Sequence, residues 1–303
     1  MEIKTGYMPF RGYRTFYRVV GERNGNKAPL LLLHGGPGST HNYFELLDSL
    51  ADSGRQIVMY DQLGCGLSYV EGHAELWTLD TWLDELDALR KYLQLDTLHV
   101  LGQSWGGMMI LAWLIDRKPK GVMSAILSST LSSSRLWSSE QHRLITFLSE
   151  EDQQAIRLAE ETGDYTNSAY LRANEHYTEK YAGLVEDSTP ECVRRKKRFG
   201  TESYNAAWGP NEFTPLGNLR NFDYTERLGE IRQSCLVISG TNDECTPLIA
   251  KTMADGIAHS RWELLAGARH MTFVDQTDAY LAIVGKWCEE HDGQMADIQS
   301  ATR

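Results

Sequence analysis

Thr97-Leu-His-Val-Leu101, Gly102-Gln-Ser-Trp-Gly-Gly107 and Met108-Met-Ile-Leu-Ala-Trp-Leu-Ile115 follow one another without a break. The first block is short and mostly apolar, as a buried strand is. The third is apolar throughout and reads as a helix. Between them, Gly102 and Gly106 flank Ser104 in a G-x-S-x-G. A nucleophile on a sharp strand-to-helix turn needs this pattern, because glycines on both sides leave room for a strained serine backbone. The turn lifts the hydroxyl off the sheet edge, and the first N–H groups of the helix point to the same place. A glycine-rich turn alone is ordinary. With a strand before it and a helix after it, the segment reads as a nucleophile elbow with Ser104 as nucleophile.

The same rhythm runs outward in both directions. Residues near Gly12–Val20 read as an N-terminal strand. Pro29–Leu33 is a wholly apolar run stopped by His34-Gly-Gly-Pro-Gly38, and Gln56–Tyr60 is another, stopped by Asp61-Gln-Leu-Gly64. Strands buried on both faces look like this. Trp82, Leu83, Leu86, Leu89 and Leu93 recur at helical spacing within Leu79–Leu93, and Gly121–Leu127 is a further strand. Strand–helix alternation predicts an α/β fold with a mostly parallel central sheet flanked by helices. From Leu131 to Phe222 the chain turns polar and helix-patterned, with a helix boundary at Thr189-Pro190. Sheet signals return at Cys235–Ser239 and Arg261–Leu265, followed by a helix over roughly Asp278–Glu290 and a tail, Asp292-Gly-Gln-Met295, read as frayed. The expected organisation is a core of residues 1–130 and 223–303 and a helical insertion of residues 131–222.

A serine hydroxyl is a poor nucleophile at neutral pH and needs a base oriented by a carboxylate. This architecture delivers them in the order Ser, Asp, His, each just past a strand. Asp243 follows the strand ending at Ser239, and His270 follows the strand ending at Leu265. Asp223 and Asp255 are rivals for the carboxylate, but only Asp243 directly follows a buried strand. The other histidines lack such a placement: His34 opens the glycine loop, His99 lies inside a strand, and His142 and His176 fall in the insertion. Acyl transfer also needs N–H donors preset around the developing oxyanion. Trp105 and Gly36 are the expected donors, since Pro37 has no N–H and glycine lets the backbone approach closely.

Composition bounds the rest. The chain has 303 residues and a formal charge of −11, which argues against a nucleic-acid partner. The N-terminal twenty residues lack the apolar run of a secretory leader, and no stretch is long enough for a membrane span. Five scattered cysteines without a CxxC fit a reducing cytoplasm. Asp61–Gly66 lacks the third glycine of a dinucleotide fingerprint and reads as structural. No metal-site or phosphate-loop pattern occurs, so neither a cofactor nor a metal is expected. Arg194-Arg-Lys-Lys-Arg198 reads as a solvated helix face. Cys245, two residues past Asp243, is expected to make the activity mercurial-sensitive, with Cys65, in a loop at the carboxyl end of the sheet, as the second candidate.

Six segments together give a resemblance that covers nearly the whole chain. They are HGGPG at His34–Gly38, YDQLGCG at Tyr60–Gly66, GQSWGG at Gly102–Gly107, WGPNEFTPLGN at Trp208–Asn218, GTNDECTP at Gly240–Pro247 and AGARHM at Ala266–Met271. The chain resembles the proline iminopeptidases (prolyl aminopeptidases), a serine-peptidase branch of the α/β-hydrolases, most of all the type of lactic acid bacteria. The resemblance implies nucleophile Ser104, orienter Asp243, base His270 and oxyanion donors Gly36 and Trp105. It also implies that Glu212 and Glu244 hold the free amino terminus of the substrate, and that residues 131–222 cap the active site. The implied activity is release of N-terminal proline from short peptides through an acyl-enzyme, without a cofactor. Alternatives on the same scaffold are an amino-acid amidase, an arylamidase or an esterase; a non-catalytic ligand receptor is the alternative from another class.

Overall fold

In the computed structural model, which describes residues 1–23, 25–183 and 185–293, the apolar runs become strands. They are β1 (Ile3–Phe10), β2 (Tyr13–Val20), β3 (Leu30–Leu33), β4 (Ile57–Tyr60), β5 (Leu98–Gln103), β6 (Val122–Ser128), β7 (Ser234–Gly240) and β8 (Ser260–Leu265). One sheet holds all eight in the order β1-β2-β4-β3-β5-β6-β7-β8. β1 pairs antiparallel with β2, and β2 with β4, while β4, β3, β5, β6, β7 and β8 run parallel. The sequence reading missed β1. Its side chains are mostly exposed, so it shows no buried run; backbone pairing from Ile3↔Val20 to Phe10↔Tyr13 places it at the edge.

The helices are α1 (Leu79–Tyr92), α2 (Trp105–Ala112), α3 (Ser134–Ile145), α4 (Glu150–Thr162), α5 (Ser168–Tyr181), α6 (Glu191–Arg194), α7 (Thr201–Ala207), α8 (Pro247–Gly256), α9 (Thr272–Asp275) and α10 (Thr277–Asp292). Side chains alternate across the parallel strands and build two apolar layers. Leu31, Leu33, Val100, Leu127 and Val237 pack with α1, α2 and α8. Leu30, Leu32, Leu101, Ile126 and Ile238 pack with α10 and the 3-10 segment His41–Ser53. Covering both faces leaves the carboxyl ends of the strands as the open edge, where ligands of such sheets bind. The turns after β3, β5, β7 and β8 all emerge there.

The helices between β6 and β7 carry a small core of their own. Leu144, Ile145, Ile156, Ala159, Tyr170, Ala173, Tyr177, Tyr181 and Phe213 pack together. Side-chain caps start three of these helices: Ser133 accepts from the Leu136 N–H, Ser149 from Asp152 and Asn167 from Ala169.

The expected frayed tail begins with an anchored residue. The Asp292 carboxylate accepts from Arg55 Nη2 at 2.6 Å and from the Ala28 N–H at 3.0 Å, and lies 3.2 Å from His99 Nε2. Burial opposes its charge, but His99 and Arg55 outweigh that and hold its pKa well below the usual range. Gln294 and Met295 lie outside the described residues. Among the described residues no helix is long and apolar enough to cross a membrane.

Candidate active site

Ser104 sits between β5 and α2 with φ 54° and ψ −121°. Such a backbone costs a non-glycine residue on the order of 1–3 kcal/mol and persists only where neighbours enforce it. Here the Ser104 N–H donates to Ser128 O at 2.9 Å, and Thr130 Oγ1 donates to Ser104 O at 2.6 Å. The flanking glycines serve close packing. A Cβ on Gly102 would stand 2.3 Å from the Gly106 carbonyl carbon, and one on Gly106 would stand 2.1 Å from Leu33 O. Either would push α2 off the sheet.

Asp243 is buried in the turn after β7. Its Oδ1 accepts from the Cys245 N–H at 2.7 Å and pairs with His270 Nδ1 at 2.8 Å. That contact puts the imidazole proton on Nδ1 and leaves Nε2 as the basic atom. Ser104 and His270 line one cavity of about 430 Å³, together with Gly36, Glu212 and Glu244. No Ser104 Oγ–His270 Nε2 hydrogen bond forms among the described residues, and Nε2 stands 3.5 Å from Glu244 Oε1. Catalytic hydrogen bonds commonly tighten only once substrate is bound.

The glycine loop after β3 faces the elbow. Neither the Gly36 nor the Trp105 N–H donates to a protein acceptor among the described residues, so both are available to an oxyanion. The segments that carry them are tied through Gln62. Its Oε1 accepts from Trp105 Nε1 at 2.8 Å, and its Nε2 donates to His34 O at 2.9 Å. The Gln62 N–H donates to His34 Nε2 at 3.0 Å, leaving Nδ1–H to donate to Gly35 O at 2.8 Å. Burial lowers the His34 pKa to about 4, so this ring stays neutral and holds the loop. Asp61 accepts from the N–H groups of His41 and Leu67, which makes its stretch structural, as expected from sequence.

Glu212 and Glu244 meet over His270. Glu212, in the loop after α7, accepts from Tyr204 Oη at 2.7 Å. Buried Glu244 lies 3.3 Å from Tyr177 Oη of α5, and its backbone carbonyl accepts from Gln141 Nε2 of α3 at 2.8 Å. Burial raises both carboxyls; Glu244 is pushed up to about 8, with the charges of Glu212 and Asp243 adding to burial and His270 opposing. For His270 burial acts downward, but Glu244, Asp243 and Glu212 prevail and raise it to about 9. The site thus sets three acidic side chains, Asp243, Glu212 and Glu244, close to one imidazole. Tyr177, Tyr204, Gln141 and Gln62 were not singled out from sequence. Tyr170, Tyr177 and Tyr181 do mark one face of α5 at steps of seven and four, and that spacing was a usable signal.

The rivals are engaged elsewhere. Asp223 accepts from Ser133 Oγ, and Asp255 pairs with Lys251 on the surface. His142 binds Glu160 and His176 binds Asp152. All five cysteines are buried, and the Cys245 thiol donates to Thr130 O at 2.9 Å with its pKa pushed well up by burial. One expectation is corrected. The basic stretch is not a helix face: α6 stops at Arg194, and Lys197 turns into the cavity.

Residues 28–277 match the family model of the alpha/beta hydrolase fold. Proline iminopeptidase of Clostridioides difficile (strain 630) is 54% identical over 293 residues, spanning 96% of this chain and 100% of that protein. Proline iminopeptidase of Lactobacillus helveticus is 55% identical over 294 residues, with the same coverage. The chain belongs to the proline iminopeptidase family. The crystal structure of the Mycobacterium smegmatis proline iminopeptidase superposes with a TM-score of 0.85 at 31% identity, covering 95% of this chain and 99% of that one. The sequence resemblance and the α/β-hydrolase fold expectation therefore both hold.

Proposed function

We propose that the chain releases N-terminal proline from short peptides, with Ser104, His270 and Asp243 as the triad and Glu212 and Glu244 as the site for the substrate's cationic amine. The observation that carries the reading is the meeting of two acidic side chains, fully buried Glu244 and partly buried Glu212, beside the imidazole of a serine hydrolase. A plain esterase has no use for them, because unpaired buried carboxylates are costly. Residues 131–222 act as the cap, since their helices supply Asn174, Thr178 and Tyr204 to the cavity and the loop after α7 supplies Glu212. Five free cysteines accord with a reducing cytoplasm.

Ser104 Oγ attacks the prolyl carbonyl as His270 Nε2 takes its proton. The oxyanion rests on the N–H groups of Gly36 and Trp105. His270 returns the proton to the leaving amine, and the C–N bond breaks. Water then attacks the prolyl ester, giving its proton to His270, and free proline leaves as Ser104 regains its hydrogen. Substrate binding prepares the base: a prolyl cation between the glutamates repels the imidazolium and offsets the carboxylates, so the His270 pKa falls and Nε2 becomes free.

Steady-state kinetics on Pro-arylamide and N-acetyl-Pro-arylamide test the reading. The acetylated compound leaves the carboxylates unpaired, so its kcat/KM falls by roughly 30-fold or more. Equal cleavage of both overturns an aminopeptidase and leaves an amidase.

A further inference from the structure

We infer that Lys197 binds the terminal carboxylate of the peptide being cut, so that the enzyme reads both ends of a short peptide and prefers free-acid Pro-Xaa and Pro-Xaa-Xaa. This rests on the aminopeptidase reading and extends it to the leaving side.

The inference starts from the fate of the basic stretch. Arg194 donates to Thr189 O at 2.7 Å. Arg195 grips Glu45 and Glu191, and Arg198 lies over the Tyr69 ring. Lys197 alone of the stretch lines the cavity that also contains Ser104, Glu212 and Glu244. Its ammonium has no ion pair or hydrogen bond among the described residues; its Nζ stands 5.4 Å from the centre of the Tyr43 ring. A partly buried lysine with only a ring face beneath it forgoes most of its hydration, which is unfavourable without an anion. Burial lowers its pKa accordingly, with the Asp61 charge opposing.

The position is suited to the leaving side. Tyr43 Oη accepts from the Gly35 N–H at 2.6 Å and donates to Gln103 Oε1 at 2.9 Å, so Lys197 stands on the wall formed by the glycine loop and the elbow. The glutamates stand on the wall formed by Tyr177, Tyr204 and His270. The charge of His270 acts on both glutamates, whereas that of Asp61 acts on Lys197. One cavity therefore carries its anionic and cationic groups on different walls with the serine in the same space. A zwitterionic di- or tripeptide has the matching order: ammonium, scissile carbonyl, carboxylate. Extended chain spans at most about 3.3–3.6 Å per residue, so only short peptides bring a carboxylate this close to the reacting bond. Exposed Phe199, also on the lining, is available to the apolar part of the leaving residue.

The test compares Pro-Xaa free acid with Pro-Xaa amide, in the wild type and in Lys197→Met, which keeps the apolar stem. The wild type should favour the acid in kcat/KM by about 10- to 100-fold, the range of one charge-assisted contact. In Lys197→Met that ratio should collapse toward one, mainly through a higher KM for the acid, and Lys197→Arg should restore part of it. A wild-type acid-to-amide ratio near one overturns the proposal without any variant. So does an unchanged ratio in Lys197→Met. Failure of the wild type to cleave Pro-arylamide would instead overturn the aminopeptidase reading.

Discussion

The two walls of the cavity are made in different ways. On one side, Ser104, Gly36, Asp243 and His270 sit on tight turns at the ends of parallel strands, fixed by backbone hydrogen bonds and by glycines with no room for a side chain. On the other, Tyr177 hangs from α5 in a small aromatic cluster separate from the sheet layers, while Tyr204 of α7 packs against the larger core and Glu212 lies in the loop after it. The sheet supplies the atomic precision that bond making requires. On the proposed reading the helices serve as a low-dielectric lid, where a carboxylate can tell a cation from a neutral group. Glu244 joins the two: it belongs to the β7 turn, but its carboxylate faces Tyr177 of α5.

This division can be broken at several points. Losing the nucleophile should do the most. Ser104→Ala removes one oxygen from a site already held by backbone contacts, so it should fold with a near-normal melting temperature and lose ~10⁴–10⁶ in kcat. His270→Ala should cost about as much, and the double variant little more. Additive losses would show that the two do not act as one unit.

A smaller effect sharpens the role of Glu244. Glu244 helps to raise His270 to about 9, and as the proposed base His270 must be neutral to act. Hydrolysis of an uncharged ester should therefore rise with pH through that region. Glu244→Gln removes a negative charge, which lowers the His270 pKa, so the rising limb should move to lower pH and ester turnover at neutral pH should increase. A limb that stays in place would detach Glu244 from the base.

The sheet wall was largely legible in the sequence, and the helical wall was not. Leu30–Leu33 and Leu98–Gln103 announce themselves as buried strands, and order along the chain pointed to Ser104, Asp243 and His270, which the fold brings together. In the insertion, polar helices hide their few inward residues among many outward ones. Glu212 was reached only through the GPNEF segment, and Lys197 was taken for one charge among five. Asp292 was missed for a related reason: its partners Arg55 and His99 lie far away in sequence, and no local pattern reports such a contact.

The central claim is that the helical wall reads charge while the sheet wall does the chemistry. Its most direct test is Glu212→Gln assayed on two substrates, a prolyl arylamide and the uncharged ester p-nitrophenyl acetate. Breaking one partner of a desolvated charge pair costs about 2–5 kcal/mol, so kcat/KM on the arylamide should fall roughly 30- to several-thousand-fold. Ester hydrolysis, which never makes that contact, should hold within a small factor. Equal loss on both substrates would contradict the account, because Glu212 would then support the triad or the packing of the cap instead of binding the amine.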